Sequence, residues 1–173
     1  MKQEIYKGRA IHLFVEDVPL PNGKTTRLDI IRHPGASAVV PLLENGDVVL
    51  IHQYRYAASG YLYEIPAGKL SPGEAPELCA IRETEEEVGY HVGALKQLTT
   101  IFTAAGFCDE QIHLYLGTQL TPCPQRLDED EVLQVVTMPL DEALKKIEDQ
   151  IIVDAKSIVA LQLAYAHIKN GRS

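Results

Sequence analysis

The sequence predicts a mixed α/β (α+β) fold, with a main domain over residues 36–173 and a small strand-rich extension over residues 1–35. Three observations predict it. Residues 3–33 alternate apolar and polar side chains, as an antiparallel hairpin or meander does. From Ala36 onward the strand-like runs become continuously apolar, which is typical of buried strands. Stretches with helix signals then follow Pro76 and close the chain.

The composition favours a folded domain that does not bind nucleic acid. The chain has 173 residues, 46% of them hydrophobic, which is enough to bury a substantial core. Its net charge of −8 repels polyphosphate backbones, and the sequence has no stripe rich in Lys and Arg to offset this. A phosphate-ester substrate would therefore need divalent cations between itself and the protein.

The cysteines and the apolar runs indicate a cytoplasmic protein. Cys79, Cys108 and Cys123 form no CxxC pair and are odd in number, which fits reduced thiols better than a disulfide framework. The N-terminus lacks the apolar segment of a signal peptide, and no apolar run approaches the roughly 20 residues of a membrane span. We therefore expect no membrane partner.

Turn signals divide the first half of the chain into strands. "PLPNGKT" contains a Pro-Asn-Gly turn, which supports the antiparallel hairpin or meander in the extension. "ASAVVPLL" and "VVLIHQYR" predict two buried strands that begin the main sheet, joined by a tight turn at Asn45-Gly46. "YLYEIPAGK" then predicts a short strand that ends at Pro66-Ala67-Gly68.

Helix signals dominate the middle and the end of the chain. A helix is predicted between Pro76, which suits a first turn, and Gly89, which suits the position after a last turn. The segments "GALKQLTTIFT", "EQIHLYLGTQL" and, after an acidic loop, "VLQVVTM" predict strands. Two helices follow, one opening at Pro139 and the other running from about Asp154 to Lys169.

The first predicted helix carries four glutamates within five positions. At about 100° per residue, Glu83, Glu86 and Glu87 share one face and Glu85 points away from it. Converging carboxylates raise one another's pKa unless a cation lies among them, and oxygen ligands of this kind select Mg²⁺ or Mn²⁺. The alternative is an ordinary helix with a solvated acidic face.

The residues around these carboxylates resemble the Nudix box. Its pattern is Gly, five residues, Glu, seven residues, Arg-Glu, an aliphatic position, one residue, Glu-Glu, one residue, Gly and a second aliphatic position. Thr84 and Tyr90 depart from it at the aliphatic positions, which affects packing rather than chemistry. Arg82 is expected to orient Glu86 or Glu74, because an arginine fork suits carboxylates. The matching residues are Gly68, Glu74, Arg82, Glu83, Glu86, Glu87 and Gly89.

The resemblance to Nudix hydrolases has implications for fold and chemistry. It implies an α/β/α sandwich around a mixed β-sheet, and Mg²⁺-dependent hydrolysis of a nucleoside diphosphate linked to another moiety, with Mn²⁺ able to substitute. It also implies Glu83 and Glu87 as the principal metal ligands, with Glu87 essential for catalysis. Glu86 would be a third carboxylate at the metal or a carboxylate just behind the ligands, and the carbonyl of Ala67 would be a further ligand.

Further segments resemble the branch of ADP-ribose pyrophosphatases and nucleoside-diphosphate-sugar hydrolases. They are "HQYRYA", "YLYEIPAGK", "GFCDEQIHLYL", "DEDEVLQV" and "DAKSIVAL". The resemblance implies that the N-terminal strands exchange with a partner chain, giving a homodimer whose subunits jointly line the nucleoside pocket. It implies ADP-ribose as the substrate, followed by other nucleoside diphosphate sugars. The alternatives are GDP-mannose, a dinucleoside polyphosphate or an oxidised nucleotide and, in another class, a ligand sensor without catalysis, which the complete set of box carboxylates disfavours.

The same branch implies residues for phosphate binding and for proton transfer. Arg55 would hold a substrate phosphate, unless it only caps a strand at the surface, and Glu64 would contact the diphosphate or the ribose through a water. The catalytic base would be Glu131, with Glu129 second and Glu110 third. The alternative is that this acidic loop is simply solvated and has no catalytic role.

The loop before the predicted strand "EQIHLYLGTQL" departs from the sequence pattern of this branch. Ala105 stands where ADP-ribose hydrolases typically have Pro in a Ser-Pro-Gly stretch, so the loop near the terminal ribose is expected to differ in shape. Gly106 and Phe107 of this loop are candidate substrate-binding residues. The chain has no Trp, so base stacking would fall to Arg or to another aromatic residue. The aromatic candidates are Phe14, Tyr54, Tyr56, Tyr61 and Phe107.

Overall fold

The structure, a computed structural model, describes residues 1–9 and 11–171. The remaining residues of the predicted extension and main domain, 10, 172 and 173, lie outside the described part. The strands are β1 Lys2–Lys7, β2 His12–Pro19, β3 Thr25–Arg32, β4 Ala36–Pro41, β5 Asp47–Arg55, β6 Gly60–Glu64, β7 Ala67–Lys69, β8 Tyr90–Phe102, β9 Gln111–Pro122 and β10 Leu133–Pro139. The helices are α1 Pro76–Val88, α2 Leu140–Glu148 and α3 Ala155–Asn170, with a single 3₁₀ turn at Tyr56–Ala58.

The N-terminal extension is an antiparallel meander, as predicted. Its strand order is β1-β2-β3, and Gly23 supplies the positive φ of 79° in the turn between β2 and β3. Every residue of the three strands is at least partly exposed. The meander is attached to the rest of the chain where the backbone of Ile31 bonds to Phe107 and Asp109, and where Arg32 pairs with Asp109 at 3.0 Å.

The main domain contains two sheets. One is mixed, with the order β7-β4-β9-β8 and with β4 parallel to β9, and the other is antiparallel, with the order β10-β5-β6. The turn at Asn45-Gly46 forms as predicted, with φ of 89° at Gly46. The expectation that the strands on either side of it share the main sheet is wrong. Both neighbouring positions of β4 are taken by β7 and β9, so β5 pairs with β6 and β10 instead.

The helices cover the sheets from both sides, giving the α/β/α sandwich. On one side α1 packs against the sheets, with Ala80 against Val39 and Val88 against Ile51. On the other side α2 and α3 close the larger apolar core. It contains Ala38, Val40, Val48, Leu50, Leu114 and Leu116 of the strands together with Ala143, Ala160, Leu161 and Ala164 of the two helices.

The predicted strand "YLYEIPAGK" is interrupted, which corrects the expectation of one continuous strand. β6 ends at Glu64, opposite Ile51 in the antiparallel sheet, and β7 begins at Ala67, opposite Ala38 in the mixed sheet. Between them Pro66 has no N–H to continue a ladder, and Ile65 donates its N–H to a side chain of α3. The chain therefore changes sheets at this point and leaves Glu64 and Ala67 close together in space.

The helix signals of the sequence are confirmed. Pro76 begins α1, and Gly89 follows its last residue with a φ of 71°, donating its N–H to carbonyls of the last turn. The α3 helix begins after Asp154, whose carboxylate accepts the N–H of Ser157. Among the described residues, the structure has no helix that is both long and apolar enough to cross a membrane.

Candidate active site

A cleft of about 390 Å³ opens where α1, β5, β7, the loop after β9 and the start of α3 meet. Both signs of charge line it, which suits an anionic ligand carried together with cations. The acidic residues are Glu83, Glu86, Glu87, Glu110, Asp128 and Glu131. The basic residues are Arg55, Lys69, Arg82, Arg126 and Lys156.

Glu87 is the most buried carboxylate of the cleft, with 2% of its surface exposed. Its Oε2 accepts the backbone N–H of Ala67 at 2.8 Å, so the end of α1 and the start of β7 are held together. The pKa of Glu87 is raised to about 8, mainly because the group is buried and to a smaller extent because the carboxylates of Glu83 and Glu131 are nearby. The Ala67 hydrogen bond and the charge of Lys156 act in the opposite direction. The site therefore favours a proton or a cation at Glu87.

Glu83 lies one turn earlier on α1 and faces the same strand. Its carboxylate packs so closely on Gly68 that a Cβ at that position would overlap it. Burial raises the pKa of Glu83, although the adjacent Arg82 acts in the opposite direction. The first glycine of the box is therefore a place where the backbone makes room for a carboxylate.

Arg82 connects the acidic residues of the box. Its guanidinium donates to Glu74 at 2.9 and 3.0 Å, to Glu83 at 2.6 Å and to Glu86 at 3.0 Å. The interaction with Arg82 holds the pKa of Glu74 down at about 2. The expectation that this arginine orients Glu86 or Glu74 is confirmed, and it contacts both.

Thr84 occupies an aliphatic position of the box without leaving a polar group unpaired. Its side chain is fully buried, and its hydroxyl donates to the carbonyl of Ala80 one turn earlier at 2.7 Å. The β-branched side chain thus fills the apolar position while the helix itself accepts its hydroxyl. This departure from the box is one of packing, as the sequence indicated.

Glu83, Glu86 and Glu87 offer carboxylate oxygens, the type of ligand that a hard divalent cation prefers. Among the described residues, the buried carboxyl group of Glu87 accepts a hydrogen bond from the backbone N–H of Ala67 and has no cationic side chain in direct contact. Within residues 1–9 and 11–171, no three His, Cys, Asp or Glu side chains are gathered in an arrangement that could hold a metal ion. Arg82 instead occupies oxygens of Glu83 and Glu86. The assignment of the metal ligands stays a prediction.

Arg55 and Glu64 form an ion pair at the wall of the cleft. Nε and one terminal nitrogen of Arg55 each donate to Glu64 at 2.8 Å. Glu64 is only 2% exposed, lies outside the lining of the cleft and accepts a further hydrogen bond from Lys156. The structure therefore brings Arg55 to the cleft and places Glu64 behind it. The water-mediated substrate contact predicted for Glu64 stays a prediction.

The three candidate bases lie in different surroundings. Glu131 lines the cleft, and its Oε2 accepts the backbone N–H of Asp128 at 3.0 Å. Glu110 also lines the cleft, but its two oxygens contact Thr103 at 2.7 Å and His33 at 3.2 Å. Glu129, on the same loop as Glu131, lies outside the lining and is exposed. Glu131 and Glu110 therefore line the same cleft as the carboxylates of the box, whereas Glu129 does not.

The predicted aromatic and loop residues lie away from the cleft of this chain. Gly106 and Phe107 belong to the loop between β8 and β9, where Phe107 is 54% exposed. Tyr54, Tyr56 and Tyr61 are exposed at the end of the antiparallel sheet, and Phe14 lies in the N-terminal meander. All six lie outside the lining of the cleft. Their roles in substrate binding stay predictions.

Residues of the site that were missed in the sequence include Gln53 and Lys156. Gln53 lines the cleft, is 5% exposed, and its buried Oε1 has no hydrogen-bond partner among the described residues. Gln53 lies two residues before Arg55 on the same strand, and alternate residues of a strand face the same side, so the sequence did contain a signal for it. Lys156 lines the cleft from α3, and nothing in the local sequence indicates this.

Comparison with known proteins agrees with this geometry. The NUDIX domain family matches residues 31–159. The chain belongs to the NUDIX family. This confirms the resemblance on which the site was predicted, and the chain is accordingly a Nudix pyrophosphohydrolase.

Curated relatives extend over most of the Nudix chain. An ADP-ribose pyrophosphatase of Bacillus subtilis is 42% identical over 163 residues, covering 93% of this chain and 88% of the relative. A methanol dehydrogenase activator of Bacillus methanolicus is 43% identical, covering 92% and 88%. A GDP-mannose pyrophosphatase of Cronobacter sakazakii is 34% identical, covering 78% of each chain. Proteins named for different functions are thus similar to this chain over most of its length.

A solved structure confirms the Nudix fold. The crystal structure of an ADP compounds hydrolase superposes with a TM-score of 0.85, covering 99% of this chain and 93% of that chain. The two sequences are 23% identical. At this identity the likeness supports the arrangement of helices and sheets, including the N-terminal meander within the covered length.

Proposed function

We propose that this enzyme hydrolyses the diphosphate linkage of ADP-ribose, or of a closely related nucleoside diphosphate sugar, to give AMP and a sugar phosphate. The observation that carries the proposal is the cleft itself. The carboxylates of the box, the phosphate-binding candidate Arg55 and the loop carboxylate Glu131 all line it, which supports the proposal. The relative of Bacillus subtilis, an ADP-ribose pyrophosphatase, supports the choice of substrate.

The cofactor in this proposal is Mg²⁺, for which Mn²⁺ can substitute. Glu83 and Glu87 would hold it, with Glu86 and the carbonyl of Ala67 as further ligands. When bound, the ion neutralises charge on the diphosphate and lowers the pKa of a bound water. The burial of Glu87 without a cationic side chain in direct contact among the described residues supports this assignment, because an ion would take the place of the proton that the site otherwise favours.

The side chains of this protein have separate roles in the proposal. Arg55 binds a phosphate oxygen of the substrate and remains fixed at its other edge by Glu64. Glu131 accepts the proton of the attacking water, because it lines the cleft close enough to Glu87 to raise its pKa. Arg82 holds the carboxylates of α1 in place and turns none of its hydrogen bonds toward substrate.

The proposal includes a homodimer in the cytoplasm. Strands β1, β2 and β3 form a meander in which no residue is fully buried, and a second copy of the chain covers part of it in this proposal. The aromatic residues that lie outside the cleft of their own chain then become available to the nucleoside of the other. The three free cysteines fit a reducing compartment. Light scattering with the full chain and with residues 36–173 tests the dimer.

A substrate panel tests the function. ADP-ribose, GDP-mannose, a dinucleoside polyphosphate and an oxidised nucleotide are compared by kcat/KM in Mg²⁺, with AMP release followed directly. We expect ADP-ribose to have the highest value. A higher value for GDP-mannose would favour the second candidate, which the relative of Cronobacter sakazakii supports. Tight binding of ADP-ribose without any AMP release would indicate a ligand sensor and overturn the proposal.

A further inference from the structure

A chain of charged side chains connects the N-terminus of α3 with the cleft. Lys156 donates its Nζ to Oε2 of Glu64 and, at 3.0 Å, to Asp154. Glu64 in turn accepts two hydrogen bonds from Arg55. Asp154 is fixed by its own helix, because it accepts the N–H and the hydroxyl of Ser157. The position of Arg55 in the cleft thus depends on a residue of α3.

The charged side chains that link α3 to the cleft differ in their exposed fractions, and this difference matters for substrate binding. The side chain of Glu64 is 2% exposed, that of Lys156 is 11% exposed, and that of Arg55 is 42% exposed. A buried carboxylate that loses its last cationic partner is strongly destabilised. Arg55 uses two of its five N–H donors on Glu64. With Lys156 in place, Glu64 has a second cation, so Arg55 can turn its remaining donors toward a phosphate and keep a looser contact with Glu64 without leaving that carboxylate uncompensated.

We propose that Lys156 is a positioning residue for substrate binding: it shares the charge of Glu64 and thereby frees the guanidinium of Arg55 to engage a phosphate. This rests on the proposed function, and specifically on a substrate that carries a diphosphate. Without Lys156, both oxygens of Glu64 depend on Arg55 alone. Arg55 is then held on the wall of the cleft, and the affinity for the diphosphate falls.

A direct contact between Lys156 and the phosphate is the other way in which this residue would act. Two of its three N–H donors are already taken by Glu64 and Asp154, and little of the side chain is exposed. Action through Arg55 therefore accounts better for the geometry. The two modes differ in one measurable respect, since an effect that passes through Arg55 disappears when Arg55 is absent.

A double-mutant cycle tests the proposal. KM and kcat are measured for Lys156→Met, Arg55→Ala and the double variant, on the best substrate of the panel. We expect Lys156→Met to raise KM roughly tenfold with kcat changed less than about threefold, as loss of a charge-assisted hydrogen bond predicts. In the Arg55→Ala background the same change leaves KM within about twofold. Lys156→Arg, which keeps the charge, restores KM. Lys169→Met, on the same helix but outside the cleft, is the matched control.

Other results would overturn the proposal. An equal rise in KM in both backgrounds would indicate direct contact, and a fall in kcat alone would indicate a different role. If Lys156→Met does not fold, the comparison is made between Glu64→Gln and Glu64→Gln with Lys156→Met, where position 64 carries no buried charge for Lys156 to share. Any rise in KM on removal of Lys156 in that background refutes the proposal. Wild-type turnover is measured first: inactivity on ADP-ribose refutes the proposed substrate, whereas the cycle requires only a diphosphate that is hydrolysed.

Discussion

The carboxylate of Glu83 packs directly on the backbone of Gly68, in the space that a side chain there would need. These two residues are fifteen positions apart and belong to α1 and β7. A Cβ at position 68 would therefore have to displace the Glu83 carboxylate. Glycine at this point of the box is therefore a requirement of packing around the site, and not of backbone conformation, since its φ is not positive.

We expect Gly68→Ala to displace Glu83 and to lower kcat/KM by roughly 100-fold, because displacements of about 1 Å at a reacting centre have effects of this size. Mn²⁺ affinity, measured by titration calorimetry, falls as well. Gly60→Ala is the matched control, since a Cβ there meets no atom within 4 Å. Unchanged Mn²⁺ affinity in Gly68→Ala would show that Glu83 does not hold the metal.

The Glu87 carboxyl group makes the stability of the metal-free protein depend on pH. Its pKa is about 8 in the folded chain, above the ordinary value of 4.5, so the folded state binds more protons than the unfolded state between these values. The free energy of unfolding due to this group falls as pH rises through that window, by at most about 1.4 kcal/mol per pH unit. Urea denaturation in EDTA at several pH values measures it.

Glu87→Gln removes this pH-dependent loss while keeping an oxygen for the N–H of Ala67. We expect the variant in EDTA to be at least as stable as the wild type at pH 8, and to lose stabilisation by Mg²⁺ together with most of its activity. A variant that keeps most of its activity in Mg²⁺ would refute the assignment of Glu87 as a metal ligand. Identical pH profiles of wild type and variant would refute the raised pKa.

Glu131 and Glu129 provide a matched pair for the catalytic base, because they share one loop and only Glu131 lines the cleft. We expect Glu131→Gln to lower kcat by roughly 100-fold or more, the usual contribution of a general base, with Mn²⁺ affinity retained. Glu129→Gln leaves kcat nearly unchanged. A large loss only in Glu129→Gln would move the base to that residue, and retained activity in both would favour Glu110.

The local signals of the sequence predicted α1 and the box correctly, because they depend on neighbours in the chain. Pro76 and Gly89 mark the ends of the helix, and the spacing of its glutamates follows from helical period. The change of sheets at Pro66 was not predictable in this way, since it depends on which strands border β4. The contact of Lys156 with Glu64, the partner of Arg55, likewise results from the packing of α3 on the sheets.

Two buried hydroxyls, those of Ser157 and Thr84, should respond differently to removal. The Oγ of Ser157 accepts the N–H of Ile65 at 2.8 Å at the point where the chain changes sheets, and both residues are fully buried. Ser157→Ala leaves that N–H without an acceptor, and we expect it to lower the free energy of unfolding by about 1–3 kcal/mol. The hydroxyl of Thr84 only donates to a helix carbonyl, so Thr84→Val leaves no donor unpaired and changes stability by less than about 1 kcal/mol.

Urea denaturation of both variants, with kcat/KM measured alongside, checks this difference. An equal loss in both would mean that the Ile65–Ser157 hydrogen bond does not stabilise the junction between the two sheets.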